Sequence, residues 1–275
     1  MTDKKSILLN RDISLTLEEY ESIKGEFIPL LSYGEALLED RLIAGAVWLD
    51  ILGDFIRAAT PVSGADNSVR KEAFETFFAS MINQKYERPF RIARKSLRGN
   101  ALKRMFLCLL LALRQDDSKR RSNPGMLFFI LRQYIKGYLY SGSVRMTPLI
   151  NDTPLRVFKK IKMDPENEMW SQIILEWLVH FIMTDRLLKT ESVQKGYLYI
   201  LLFYAIAKWC CIAHAFSKNS VEPDPEDILN SIRLVEEHYI FHPWFDEMDA
   251  TNPIFKDILE GLFKRKSAPM ILVRG

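Results

Sequence analysis

The stretch Gly196-Tyr-Leu-Tyr-Ile-Leu-Leu-Phe-Tyr-Ala-Ile-Ala207, continued after Lys208 by residues 209–216, is the longest apolar run of the sequence. A helix that spans a membrane needs about 20 largely uncharged residues. Because Lys208 lies in the middle of this run, the pattern favours a helix buried in a protein core over a membrane span. The run therefore predicts a buried central helix, and the segments on either side of it predict further helices.

Helix-start signals divide the rest of the chain. Thr16-Leu-Glu-Glu19 has the pattern of a capping box, in which two side chains satisfy free backbone amides at the start of a helix. Five more sites place a short polar residue before a proline, which the first helical turn tolerates. These sites are Asn123-Pro124, Asp152-Thr153-Pro154, Asp164-Pro165, Asp224-Pro225 and Asn252-Pro253. The signals predict helices at about 16–32, 34–59, 68–84, 87–114 (with a break near Gly99-Asn100), 124–140, 153–161, 165–188, 191–217, 225–240 and 253–265.

Apolar spacing supports the helical prediction. Five residues recur at intervals of three or four, as one helix face requires: Leu38, Leu42, Ala46, Leu49 and Leu52. Residues 269–274 form the one strand-like piece, and a loose tail fits them equally well. The predicted fold class is all-α, a compact bundle of about ten helices. We expect a single domain over residues 1–275, with 141–152 as the boundary if the helices form two halves.

Composition excludes several classes of protein. The 275 residues are 48% hydrophobic and 27% charged, which excludes a disordered or low-complexity chain. The three cysteines, Cys108, Cys210 and Cys211, show no CxxC spacing, so we expect buried, unreactive thiols rather than disulfides or a cysteine-based metal site. This cysteine usage and the lack of an apolar leader before Arg11 favour a cytoplasmic protein.

Positive charge is concentrated in one segment. Residues 85–121 contain twelve basic and three acidic residues, whereas the rest of the chain contains 26 basic and 32 acidic residues. Four of the basic residues, spaced i, i+3, i+7 and i+10, share one helix face: Arg88, Arg91, Lys95 and Arg98. Such a face binds phosphates or an acidic partner. A solvated face whose arginines pair with acidic helices elsewhere in the fold explains the same spacing. No RNP, zinc-finger or clear helix-turn-helix motif accompanies these residues.

Histidine and glutamate provide the candidate metal ligands. Glu176 and His180 are spaced i, i+4 and so share a helix face, and His214 and His238 complete the candidate set. The Glu-x-x-His spacing of di-iron carboxylate proteins does not occur. His242, which lies i+4 from His238, precedes Pro243 at an expected helix end. Packed or capping histidines explain the same residues, and no metal or other cofactor is predicted.

Aromatic residues decorate two of the predicted helices, and tyrosine often places its polar tip at a cleft or interface. The first set is Phe128, Phe129, Tyr134, Tyr138 and Tyr140, and the second is Tyr197, Tyr199, Phe203, Tyr204 and Trp209. A groove for a peptide or helix and ordinary core packing both fit these sets. The common nucleotide-binding, serine-hydrolase and zinc-protease motifs do not occur, which leaves open whether the protein is an enzyme.

The segment Leu38-Glu-Asp-Arg-Leu-Ile-Ala-Gly-Ala-Val-Trp-Leu-Asp-Ile-Leu52 resembles the helical part of flagellin lysine-N-methylase-like proteins. The apolar helix at 197–216, followed by Pro225-Glu-Asp-Ile-Leu-Asn-Ser-Ile-Arg-Leu-Val-Glu-Glu-His238 and a short Phe-His-Pro-Trp-Phe, is a second point of similarity. The resemblance covers about half the chain. That family is marked by an N-terminal cysteine cluster associated with metal binding, which this chain lacks, so no catalytic residue carries over. The resemblance implies a substrate-binding or accessory module.

The sequence leaves three functions open. The first is a cytoplasmic, all-helical binding or accessory protein that recognises a protein or peptide partner, within a peptide-modifying system if the resemblance holds. The second is a nucleic-acid-binding protein that uses the basic segment 85–121. The third is a metal-dependent helical enzyme. None of them needs a membrane-spanning segment.

Overall fold

The chain is all-α, as predicted. The computed structural model describes residues 7–59, 67–84, 87–95, 100–115, 123–144, 152–161, 163, 167–186, 190–240 and 253–274. Within these ranges twelve α-helices and two very short two-stranded sheets make up the fold. The predicted helical bundle is therefore confirmed at the level of fold class.

The elements follow one another along the described ranges with short connections. The strands are β1 (Ile7–Asn10), β2 (Ile13–Leu15), β3 (Ser143–Val144) and β4 (Thr153–Pro154). The first six helices are α1 (Leu17–Leu31), α2 (Leu38–Ala59), α3 (Asn67–Gln84), α4 (Glu87–Lys95), α5 (Asn100–Gln115) and α6 (Asn123–Leu139). The others are α7 (Val157–Lys160), α8 (Glu168–Met183), α9 (Val193–Ser217), α10 (Pro225–Val235, continued by a π-helical turn Glu236–Ile240), α11 (Pro253–Phe263) and α12 (Ala268–Val273).

The chain divides into two compact units. The first unit consists of Met1–Leu97 and Ile174–Leu201, and the second consists of Arg98–Ile173 and Leu202–Gly275. Helices α8 and α9 contribute residues to both units. The expected boundary at 141–152 lies inside the second unit, and the single-domain interpretation stays a prediction.

Local capping signals place the helix starts. The Thr16 side chain accepts a hydrogen bond from the Glu19 amide at 3.2 Å, and the Glu19 carboxylate accepts one from the Thr16 amide at 2.7 Å. Asp224 and Asp227 form the same reciprocal pair at the start of α10. The expected break near Gly99-Asn100 falls on residues 96–99, which lie outside the described residues, between α4 (described to Lys95) and α5 (described from Asn100).

Two sequence predictions are wrong in detail. The helix predicted over 153–161 covers only Val157–Lys160, because Val144 and Thr153 pair as neighbouring strands and the Leu155 amide bonds the Gly142 carbonyl at 3.0 Å. The segment 269–274, expected as a strand or loose tail, forms most of the buried helix α12. The buried Lys103 ammonium donates a hydrogen bond to the Val273 carbonyl at 3.2 Å, so contacts with a distant helix hold α12 in place.

Aromatic rings fill the core of the first unit. Phe27 packs edge-on against Tyr197, with ring centroids 4.9 Å apart, and lies 5.7 Å from Trp48. The buried Tyr197 hydroxyl donates a hydrogen bond to the Leu42 carbonyl at 2.9 Å. A Cβ on Gly45 would lie 2.6 Å from that hydroxyl, so the absence of a side chain there permits the close crossing of α2 and α9.

Helix α9 is buried along most of its length, as its apolar run predicts. Among the described helices it alone is long and apolar enough to cross a membrane, but 78% of its apolar window is covered by the rest of the protein. In the second unit Trp209 stacks on Phe158 with ring centroids 4.3 Å apart, and the ring centroids of Tyr204 and Trp170 lie 6.0 Å apart. The core helix predicted from the sequence is therefore present.

Helices α5 and α6 of the second unit approach each other closely at Gly137. A Cβ on Gly137 would lie 2.8 Å from both the Arg104 carbonyl oxygen and the Met105 Cα. Only glycine therefore allows the two backbones to come this close. The Arg104 guanidinium donates to the Gly137 carbonyl at 3.2 Å and lies 4.0 Å from the Tyr140 ring centroid. Side-chain and backbone contacts together fix the position of α6.

Replacing Gly137 with alanine tests this packing. The new methyl group meets backbone atoms that cannot rotate away, so we expect Gly137→Ala to lower the free energy of unfolding by about 1–3 kcal/mol. Gly261→Ala is the matched control, because nothing lies within 4 Å of a Cβ there. That control should instead stabilise its helix by about 0.5–1 kcal/mol. Urea denaturation of both variants measures the difference, and equal effects would contradict the close α5–α6 contact.

Candidate partner-binding surfaces

Helix α6 is buried on one side among the side chains that the structure describes. These buried residues are Phe129, Ile130, Gln133 and Gly137, spaced i, i+1, i+4 and i+8. This spacing defines a single helix face. The face includes Gly137, the point of closest approach to α5. Pairing with α5 therefore accounts for the buried half of the helix.

The opposite side of α6 carries an exposed apolar surface, here called the α6 stripe. It comprises Phe128, Leu131, Ile135, Tyr138 and Leu139, whose exposed fractions range from 49% to 71%. Their spacing of i, i+3, i+7, i+10 and i+11 aligns them along one face. Single exposed apolar residues are ordinary, but a contiguous apolar patch marks an interaction surface. The sequence suggested a groove or core packing for this aromatic helix and did not identify which side is exposed.

Positive charge borders the α6 stripe. Arg132 is exposed and Lys136 is half-buried, whereas the helix sequence Asn123–Leu139 contains no aspartate or glutamate. Both cations lie on the flank of the stripe that Leu139 borders. A partner that covers the stripe would therefore meet apolar side chains in the centre and cationic groups along one edge.

Three of the four basic residues predicted to share a helix face lie on one side of α4. Arg88, Arg91 and Lys95 are exposed, whereas Phe90 and Ala93 on the other side are buried. Arg98 lies outside the described residues. No ion pair joins Arg88, Arg91 or Lys95 to any residue in the part of the chain that the structure describes. The three residues are named the α4 basic face below.

Contacts with a tyrosine anchor α4 and place a carboxylate near one of its arginines. The Phe90 ring lies 5.2 Å from the Tyr33 ring, and the Tyr33 hydroxyl donates to the Glu35 carboxylate at 2.5 Å. That hydrogen bond is the main cause of the raised pKa of Tyr33, which the charge of nearby Arg94 partly offsets. The charge of Arg94 therefore acts on Tyr33, and Arg94 is exposed like the three residues of the α4 basic face.

The candidate metal ligands lie in different units. Glu176 and His180 are exposed on α8 in the first unit, and His214 and His238 are half-buried in the second. Among the described residues, no group of three or more His, Cys, Asp and Glu side chains is placed to hold a metal ion. His242 lies outside the described residues. The metal hypothesis stays a prediction, and the described residues form no site that supports it.

A charged cluster stabilises the start of α10, where Asp224-Pro225 predicts a helix start. The Lys218 ammonium lies 2.9 Å from the buried Asp227 carboxylate and 3.1 Å from that of Asp224. The pKa of Asp224 is lowered chiefly by the hydrogen bond from the Asp227 amide and next by Lys218. His214 is half-buried beside this cluster, and burial lowers its pKa although Asp227 acts in the opposite direction. The cluster is a helix cap with a counterion, and its sequence signal is Asp-Pro followed by aspartate.

The three cysteines are buried, as expected. Burial raises the pKa of the Cys108 and Cys210 thiols to about 12, and the pKa of Cys211 is raised as well. A nucleophilic cysteine needs a lowered pKa and access to solvent. These thiols therefore pack as small apolar side chains.

Comparison of the chain with protein-family profiles, with curated proteins and with solved structures finds no match. The resemblance to flagellin lysine-N-methylase-like proteins accordingly stays a prediction. Among the described residues, the α6 stripe and the α4 basic face are the candidate surfaces considered for function.

The lowered pKa of His214 predicts a pH dependence of stability. The unfolded chain binds a proton at His214 more readily than the folded protein does. The contribution of neutral His214 to the free energy of unfolding is therefore present above pH 6.5 and is lost as the pH falls below it. We expect His214→Gln to lose less unfolding free energy than the wild type between about pH 7 and pH 5. His180→Gln is the control, because His180 is exposed. Identical pH profiles for His214→Gln and the wild type in chemical denaturation would refute the assignment.

Proposed function

We propose that the protein is a binding module that recognises a helical segment of a partner protein through the α6 stripe. The observation that carries the proposal is the alignment of five large apolar side chains, each about half exposed or more, on one face of a helix. Covering such a face removes apolar area from water and so favours association.

The dimensions of the stripe suit a helix as the bound segment. From Phe128 to Leu139 the helix axis rises by about 16 Å, which is three turns. Residues spaced i, i+3, i+7 and i+10 form the ridge that packs into the groove of a second helix. Phe128 and Tyr138 stand near the two ends, and aromatic residues are the most frequent anchors of protein interfaces.

Charge favours an acidic partner over a second copy of the chain. In a symmetric dimer with antiparallel α6 helices, Arg132 and Lys136 of one copy would lie on the same side as the same cations of the other. Like charges brought together at an interface reduce affinity. A partner helix with an apolar stripe and a flanking row of glutamates or aspartates satisfies both the apolar centre and the basic edge.

Two synthetic helical peptides test this proposal. Both carry leucines at i, i+3, i+7 and i+10, and they differ only in having glutamates or lysines beside the leucines. We expect the glutamate peptide to bind and the lysine peptide to bind at least about tenfold more weakly, because of repulsion from Arg132 and Lys136. Leu131→Ser should weaken the glutamate peptide by about tenfold or more, as loss of an interface anchor does. Titration by fluorescence anisotropy gives both comparisons.

Leu229→Ser is the matched control, since it makes the same change at a leucine that is 46% exposed on α10. Both serine variants should retain the wild-type unfolding free energy within about 0.5 kcal/mol, because both side chains are exposed. Unchanged peptide binding by Leu131→Ser, or equal binding of the two peptides, would contradict the proposal. A wild-type dimer that Leu131→Ser dissociates in sedimentation experiments would assign the stripe to a second copy instead.

A further inference from the structure

The α4 basic face is a second surface that the α6 stripe does not include. Arg88, Arg91 and Lys95 lie on one side of α4, and the helix axis rises by about 10 Å between the first and the last of them. The phosphates of one nucleic-acid strand follow each other at about 3.4 Å along the axis, so the face spans about three of them. We propose that the α4 basic face binds the phosphate backbone of a nucleic acid.

The types of residue favour phosphate as the ligand. The two guanidinium groups each present a planar fork of donors that matches two oxygens of a phosphate, and Lys95 adds a point charge. None of the three pairs with a described residue, so no ion pair within the described part of the chain has to break when phosphate binds. Glu87 is the one acidic residue of the helix, at its first position.

The apolar residues of α4 argue against a membrane or a protein as the ligand. Pro89, Phe90 and Ala93 are buried in the first unit, and Ile92 is half-buried. A helix that lies in a membrane surface inserts exposed apolar residues, and a protein interface is centred on such anchors. The exposed side chains of α4 are cations apart from Glu87, which suits attraction to a chain of phosphates without readout of the bases.

The helix is a fixed platform for these cations. Phe90 packs on Tyr33, and Ala93 is fully buried, so the opposite side of α4 holds its orientation. Arg94 is also exposed, but its charge acts on Tyr33, so it is not counted in the binding face.

Charge-removing variants test the site against a labelled oligonucleotide. The probe is a mixed-sequence single-stranded DNA of about 20 nucleotides, followed by fluorescence anisotropy over a range of salt concentrations. The wild type should bind the oligonucleotide. In R88Q/R91Q/K95Q, the slope of log affinity against log salt concentration should be smaller in magnitude by about 2, the value for three lost phosphate contacts. Raising salt from about 50 to 200 mM should therefore weaken the wild type about 20-fold more than the variant.

R156Q/K159Q/K160Q is the control, because it removes three exposed positive charges at and beside α7. It should keep the wild-type salt dependence, and so should Leu131→Ser, which separates this site from the α6 stripe. The proposal is overturned if the wild type does not bind at low salt, or if the control loses as much as the α4 variant. It is also overturned if polyglutamate or anionic phospholipid vesicles bind as tightly as the oligonucleotide.

Discussion

The close approach of α6 to α5 at Gly137 determines which side of α6 remains at the surface. With only hydrogen at this position, the α6 backbone contacts the backbone at Arg104 and Met105. A helix held this closely buries the residues that share the contacting face, including Phe129 and Ile130. The apolar residues on the other face stay exposed although their chemistry is that of a core. The α6 stripe is thus a consequence of packing rather than of composition.

The two candidate surfaces depend on different physical forces. The α6 stripe offers apolar area with a few cations at one edge, so binding there is driven by the removal of that area from water. The α4 basic face offers cations with no exposed apolar side chain among its described residues, so binding there is driven by counterion release. A single ligand would need both chemistries to use both surfaces. The two proposals therefore concern two separate binding activities.

Local features of the fold could be predicted from the sequence, whereas features set by distant contacts could not. The capping pairs of Thr16 and Asp224 are complete within four residues, and both helix starts were identified. Helix α12 depends instead on burial and on the hydrogen bond from Lys103. Its β-branched residues favour a strand, so the sequence alone does not identify this helix. On α4, charged and buried residues alternate at helical spacing, and its exposed face was predicted. Residues 126–131 of α6 are all apolar, so periodicity could not show which side would face α5.

Hydroxyl-radical footprinting of the purified protein measures most directly whether the α6 stripe is a free surface. Two matched pairs decide the result: Phe128 against its buried neighbour Phe129, and Tyr138 against the buried Tyr197. The account predicts rapid oxidation of Phe128 and Tyr138 and protection of Phe129 and Tyr197. Protection of Phe128 and Tyr138 to the same degree as their buried counterparts would contradict it.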